Sequence, residues 1–261
     1  MRKDVIGLVP AAGMGTRLSP LPFSKELYPI GFERSREDST KEYPKVVSAY
    51  LLEQMRAAGA ENIYFIIRKG KWDIPNYFGD GSRLNLNLAY LIMQQPYGAP
   101  FSLDQAYNFV RGKTVVFGFP DILIEPQDAF TQLLAHQHQT NADVVLGVHQ
   151  VEHPHKWDMV ALTETGEVTT ILPKPEKSDL SHAWAFACWG ELFTDFMHQY
   201  LYELLARQRN TEASFEVSVG EVIQAAIDNG LRVQSVCFHG YSCLDVGTPE
   251  DLKKAIQAHT H

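Results

Sequence analysis

Short apolar runs alternate with segments of helical period along most of the chain. Runs at 4–9, 62–67, 87–93, 114–119, 143–149, 168–172, 184–189 and 232–237 have the length and apolar content of β-strands. Val5 to Val9 and Thr114 to Phe119 are apolar almost throughout, as in strands covered on both faces. Segments 46–58, 103–110, 126–138, 191–207, 217–229 and 249–258 predict helices. The early alternation reads as βαβ units, so the sequence predicts an α/β protein with a mostly parallel sheet. Residues 31–43 are polar and charged without any period and predict a surface loop.

The first strand runs into Pro10-Ala11-Ala12-Gly13-Met14-Gly15-Thr16-Arg17, and Lys25 follows. Glycines without Cβ let backbone N–H groups approach a phosphate, and a guanidinium and an ammonium neutralise it. The segment therefore suits a nucleoside triphosphate, at the carboxyl end of a strand where open α/β sheets bind ligands. It is not a Walker loop, because no Gly-Lys-Ser/Thr follows the first glycine at the required spacing. Nor is it a dinucleotide fingerprint, since Leu18 stands where the third glycine belongs. A tight turn in another kind of α/β protein fits the glycines taken alone. In the 31–43 loop, Arg34 or Arg36 would serve as a lid over bound phosphates, against the simpler reading of a solvated insertion.

Composition narrows the classes. The chain has 261 residues, 45% of them hydrophobic, enough for a large folded core. Its formal net charge of −8 argues against a general nucleic-acid binder but leaves room for a local phosphate site. Three widely spaced cysteines without a Cys-x-x-Cys pair predict neither a disulfide framework nor a zinc site, and suit a reducing cytoplasm. No apolar window is long enough to span a membrane, and Asp4 with Pro10 to Gly15 interrupts any leader-like core after Met-Arg-Lys. The histidines lack the i, i+4 spacing of a helical zinc pair, and no Gly-x-Ser-x-Gly elbow occurs.

With Arg17, Pro20, Ser24-Lys25 and Pro29 in register, residues 8–30 resemble the signature of sugar-1-phosphate nucleotidylyltransferases. Ser24 to Ile30 resembles the glucose-1-phosphate thymidylyltransferase branch. The resemblance extends from Val5 to Leu252. It implies a Rossmann-like, three-layer α/β/α fold of the nucleotide-diphospho-sugar transferase type, in one domain over 1–261. Ala11, Ala12, Gly13, Met14, Gly15 and Thr16 would then contact the nucleotide. Arg17 would stabilise the β- and γ-phosphates, and Lys25 the charge around the α-phosphate. Asp121, at the end of the 114–119 strand, and Asp245, in Leu244-Asp245-Val246-Gly247-Thr248, match the family's two metal-binding aspartates. Pro120 replaces the usual glycine, and Val246 a threonine. Two carboxylates plus phosphate oxygens suit Mg²⁺, so Asp121 is a candidate for both catalysis and metal binding. Gly79-Asp80-Gly81-Ser82 resembles a further family segment. Gln95 and Gly98, in the loop after the third strand, would read a base edge, with Gln94 an alternative.

The acceptor half of the resemblance is degraded. Lys174, in Pro173-Lys174-Pro175, would hold the acceptor phosphate, but Pro173 replaces the family's sugar-binding Glu. Trp157-Asp158 replaces a Tyr-Gly pair, and Ala185 a glycine. Asp158 would substitute for the lost Glu, and Glu216 is a looser candidate for a sugar contact. A pocket that loses hydrogen bonds to a hydroxyl discriminates against the substrate that carries it. The expected acceptor is therefore a modified sugar phosphate or another phosphorylated alcohol, with glucose-1-phosphate as the simpler alternative.

The implied reaction joins a nucleoside triphosphate, dTTP or UTP favoured, to a sugar-1-phosphate or related acceptor, releasing pyrophosphate with Mg²⁺. A cytidylyltransferase for a non-glucose phosphate and a non-catalytic nucleotide-binding relative are the alternatives. Relatives form dimers or tetramers, which makes a homo-oligomer a candidate assembly. Sixteen residues follow Asp245 and no hexapeptide repeats occur. The C-terminal helices of longer thymidylyltransferases and the β-helix domain of some relatives are accordingly not expected here.

Overall fold

A computed structural model describes residues 4–34, 38, 40–93, 97–208 and 216–259. The first half contains β1 (Val5–Pro10), β2 (Pro29–Arg34), β3 (Glu42–Val46), α1 (Val47–Ala57), β4 (Asn62–Arg68), α2 (Asp73–Phe78) and β5 (Asn87–Met93). Then come α3 (Ala99–Asp104), α4 (Tyr107–Val110), β6 (Thr114–Gly118), β7 (Ile122–Ile124), α5 (Ala129–Thr140) and β8 (Val144–Gln150). The chain continues with β9 (Met159–Leu162), β10 (Val168–Leu172), β11 (His182–Trp189) and α6 (Glu191–Gln208). It closes with α7 (Val219–Asp228), β12 (Val233–Cys237), β13 (Cys243–Asp245) and α8 (Pro249–His259).

Nine strands form the central sheet, in the order β10-β9-β11-β6-β1-β4-β5, with β8 on the other edge of β11 and β12 beyond it. The pairings give β1, β4, β5, β6, β8, β9 and β12 one direction and reverse only β10 and β11. The eight strands read from the apolar runs are all present, within two residues at each end.

Side-chain alternation along the central strands makes three layers. Ile6 and Leu8 of β1, with Val115 and Phe117 of β6, face a core shared with Phe101 of α3, Phe193 and Met197 of α6, and Val222, Ile223 and Ala226 of α7. Val9 and Val116 face the opposite core, with Leu51, Leu52 and Met55 of α1, Ile74 of α2, and Phe130 and Leu133 of α5. A fully buried Val, Leu or Ile contributes about 1.5–3 kcal/mol, so these strands carry much of the stability. Helix α7 starts on a full capping box: Glu221 N–H donates to Ser218 Oγ, and Ser218 N–H donates to the Glu221 carboxylate.

The structure corrects the expectation for residues 31–43. Their described ends belong to an antiparallel hairpin, with Gly31 opposite Lys45 and Arg34 opposite Glu42. Ile30 is buried, and Tyr50 of α1 meets His259 of α8 edge-on beside Gly31. Backbone pairing and that packing make the strand, and neither leaves an apolar period in the sequence. Arg34 pairs with Glu42 across the hairpin at 3.7 Å, whereas Arg36 lies outside the described residues. Segment 103–110 is likewise not one helix but the C-terminal part of α3 followed by α4. Pro100 sets the first turn of α3, upstream of the predicted start.

All three cysteines are free thiols. No helix among the described residues is long and apolar enough to cross a membrane.

Candidate active site

The loop after β1 begins with Ala11, whose N–H donates to the Ile66 carbonyl at 2.8 Å, and it ends where Leu18 N–H donates to Gly15 O. Gly15 has φ +66°, a left-handed conformation that suits a residue without Cβ. Between these ties, the N–H groups of Ala12, Gly13, Met14 and Gly15 have no hydrogen-bond acceptor among the described residues. Ala11 and Ala12 are buried, Gly13, Met14 and Thr16 exposed. This is an anion-accepting stretch of backbone at the carboxyl end of a central strand.

Two distant parts of the chain bring the aspartates to this loop. Strands β7 and β13 pair antiparallel with Asp245 opposite Ile122, and Val246 N–H donates to Asp121 O at 2.8 Å. Arg17 Nη2 lies 3.5 Å from Asp245 Oδ2, and Lys25 Nζ donates to Asp121 Oδ2. The Arg17 side chain is 62% exposed, so its contact with Asp245 is a weak surface pair and the guanidinium remains open to a ligand. Lys25 and Asp121 are largely buried. A Cβ at Gly247 would lie 2.7 Å from Arg17 Nη2 and 2.9 Å from both Asp245 oxygens, so a side chain there would displace these charged groups.

The charges perturb one another. Burial and the neighbouring Asp121 charge raise the Asp245 carboxyl above the usual carboxylate range, against the opposing pull of Arg17 and Lys25. Burial lowers the Lys25 ammonium, but the charge and hydrogen bond of Asp121 outweigh it, and the net shift is upward. Two crowded carboxylates with hard oxygen donors fit a divalent cation that also takes phosphate oxygens. The described residues contain no cluster of three or more His, Cys, Asp or Glu suited to a metal on its own. Any Mg²⁺ held here would therefore rest on Asp121, Asp245 and substrate.

The loop expected to read a base edge lies partly within the described residues. Gly98 has φ +107°, and a Cβ on it would overlap the Val217 carbonyl. Val217 N–H donates to Tyr97 O at 3.0 Å, which brings exposed Glu216 beside this loop. Gln95, with Gln94 and Pro96, lies outside the described residues.

The two acceptor candidates meet. β11 pairs with β6 over Phe186–Trp189 and then with β9 over His182–Ala183. Asp158, the residue before β9, therefore lies just past the end of β6 that leads to Asp121. Burial raises the Asp158 carboxyl above the usual carboxylate range, with help from the Glu221 charge, against the opposing pull of the Lys174 charge and backbone N–H. Its Oδ2 rests against the first turn of α7, 2.5 Å from where a Gly220 Cβ would be. Lys174 is exposed and has φ +38°, backbone strain of the kind that gathers at ligand sites. Glu216 makes no hydrogen bond or ion pair to this pair among the described residues. Pro173 is exposed, and Ala185 is buried at the bulge of β11.

Several residues that support the site, Glu26, Lys71, Asp73, His149 and Glu221, carry no local sequence signal. Ser24 donates to Asp73 through N–H at 2.5 Å and Oγ at 2.8 Å, and Glu26 pairs with Lys71 at 2.6 Å. Glu221 adds charge beside Asp158, and His149 supports Trp157. Their partners are remote in the chain, so only the fold reveals them. A cleft of about 590 Å³ lies elsewhere, between the β2–β3 hairpin and Ser82–Asn85; Arg34, the lid candidate, lines it, whereas Arg17, Lys25, Asp121 and Asp245 do not.

A doubly flanked, mostly parallel sheet with an anion-accepting loop, two cations and two facing aspartates defines an α/β nucleotide-binding protein. The chain belongs to the Nucleotidyl transferase family, whose model matches residues 6–261. It is 23% identical over 254 residues to the low-salt glycan biosynthesis nucleotidyltransferase Agl11 of Haloferax volcanii, covering 96% of this chain and 65% of that one. It is 25% identical over 250 residues to a glucose-1-phosphate thymidylyltransferase of Streptomyces antibioticus, covering 94% and 63%. The chain thus spans a little under two thirds of the length of these two relatives. A Bacillus anthracis protein described as a glucose-1-phosphate thymidylyltransferase, crystallised with sucrose, superposes with a TM-score of 0.80 at 17% identity, covering 97% of this chain and 94% of that one.

Proposed function

We propose that this protein transfers a nucleotidyl group from a pyrimidine nucleoside triphosphate, dTTP or UTP, to a sugar-1-phosphate or related phosphorylated alcohol. The carrying observation is the convergence of Arg17, Lys25, Asp121 and Asp245 on a loop whose N–H groups await an acceptor. A phosphate oxygen of the acceptor attacks the α-phosphorus, the bond to the β-phosphate oxygen breaks, and pyrophosphate leaves. Little covalent work falls to the protein, so catalysis is positioning and charge stabilisation.

Residues 11–16 cradle the phosphates, with Gly98 and Gln95 at the base. Arg17 takes the charge that develops on the leaving pyrophosphate, and Lys25 that around the α-phosphate. Asp121 and Asp245 would hold Mg²⁺, which when bound orients the phosphates and offsets their charge. Lys174 anchors the acceptor phosphate, and Asp158 accepts from its hydroxyls, with Glu216 at the rim near Tyr97. The substitutions at Pro173, Asp158 and Ala185 favour an acceptor other than plain glucose-1-phosphate. Free, largely buried thiols suit the cytoplasm as the working compartment.

The test is pyrophosphate release with Mg²⁺, crossing dTTP, UTP, CTP, GTP and ATP with a panel of sugar-1-phosphates and other phosphorylated alcohols. Release with a pyrimidine triphosphate and one acceptor is expected. Triphosphate binding without release across the panel would refute the transferase reading and make the protein a nucleotide binder.

A further inference from the structure

Beneath the phosphate loop lies an ion pair to which the reaction above assigns nothing. Glu26 is 1% exposed, and its Oε1 lies 2.6 Å from Lys71 Nζ. Its other oxygen, Oε2, has no hydrogen-bond partner among the described residues. The Lys71 side chain is 7% exposed. The turn that carries Glu26 is held from two further sides. Ser48 Oγ donates to Glu26 O at 2.6 Å, and Asp73, two residues beyond Lys71, accepts from Ser24. Lys25, the residue before Glu26 in this turn, sends its ammonium to Asp121.

The arrangement is a row of alternating acid and base side chains, Asp121, Lys25, Glu26 and Lys71, in which burial raises the Glu26 carboxyl and lowers the Lys71 ammonium against the attraction between them. A desolvated carboxylate attracts whatever cation is near. Lys71 takes up that demand. Without it, Lys25, the residue before Glu26, is a remaining cation already within electrostatic reach of it.

We infer that Lys71 is a positioning residue that neutralises Glu26 and so leaves the Lys25 ammonium free for Asp121 and the incoming phosphates. The inference rests on the phosphate-binding role proposed for Lys25. It makes the two halves of the pair unequal. Losing Lys71 redirects Lys25 towards Glu26, whereas losing the Glu26 charge removes the competitor. A pair that served only as scaffold would damage the site equally from either side.

The experiment is calorimetric titration with inorganic tripolyphosphate and Mg²⁺, well below the melting temperature of each variant. That probe tests the phosphate cradle without committing to a base. Lys71→Met is expected to weaken binding on the order of tenfold, the scale of one neighbouring charge. Glu26→Gln is expected to bind as tightly as the unaltered protein or tighter. In a Lys25→Met background, Lys71→Met should have no further effect, because the residue it acts through is gone. Equal weakening by Lys71→Met and Glu26→Gln overturns the inference, as does the same factor in both backgrounds. If Lys71→Met does not fold, the Glu26→Gln/Lys71→Met double variant, with a neutral pair of similar volume, decides. Unaltered affinity supports the inference, and a tenfold loss refutes it. Pyrophosphate release is measured separately: tripolyphosphate binding without release sinks the transferase reading and leaves this cycle to decide, while absence of both sinks the two together.

Discussion

Replacing His149 with phenylalanine isolates one source of acid sensitivity in the fold beside Trp157 and Asp158. His149 is 3% exposed, and neither ring nitrogen has a hydrogen-bond partner among the described residues. Its ring meets Trp157 edge-on at 4.9 Å, and Trp157 directly precedes Asp158. Burial, with the nearby His182, pushes the imidazole down from 6.5 to about 4. An unfolded histidine titrates near 6.5. As pH falls from 6.5, the unfolded chain therefore binds this proton first, and the folded state loses stability relative to it. The loss continues until pH reaches the folded value and is flat below. For these two values it is about 2 kcal/mol at pH 5 and about 3 kcal/mol at pH 4.

Phenylalanine keeps the edge-to-face contact with Trp157 and cannot take a proton. The assay is urea unfolding of both proteins at steps from pH 7 to pH 4, read as a difference so that carboxylates common to both cancel. The variant should gain on the parent by about 2 kcal/mol between pH 7 and pH 5. A difference that stays constant over that range would refute the reasoning. It would mean that His149 finds a proton acceptor or water in the folded protein.

Other outcomes follow from the same geometry. Arg17→Ala and Asp245→Ala should each lower turnover by about 10²–10³-fold, as loss of a charge-stabilising group does. Arg17 is mostly exposed, so the melting temperature of its variant should hardly move; equal losses of folding and turnover in both would remove them from the site. Gly98→Ala should cost about 1–3 kcal/mol from its backbone conformation alone, with more from overlap with the Val217 carbonyl, in thermal melts. Ser218→Ala breaks the capping box of α7 and should cost about 1 kcal/mol in urea unfolding. A variant within 0.2 kcal/mol or so of the parent would show that the Glu221 contact suffices to cap the helix.

The apolar periods alone determined the eight main strands, the long helices and the sense of the early βαβ units. That information is local: a buried strand needs a run of apolar side chains whatever it packs against. The glycine-bearing loop with Arg17 and Lys25 could be picked out as a candidate phosphate site, because its residues lie in one short segment, and the structure gives it a row of N–H groups without acceptors among the described residues. Asp121 and Asp245 could be named as candidates, but their meeting depends on the β7–β13 pairing, whose three-residue strands are too short to leave a period. The β2–β3 hairpin was misread as a loop for a related reason, since backbone hydrogen bonds and a few buried residues at one end, Ile30, Gly31 and Val46, hold its polar strands. Glu26 with Lys71, Ser24 with Asp73, and His149 against Trp157 belong to the tertiary structure entirely. In each, a side chain gains its charge partner or its burial from a residue far along the chain, and sequence proximity carries no trace of such pairs.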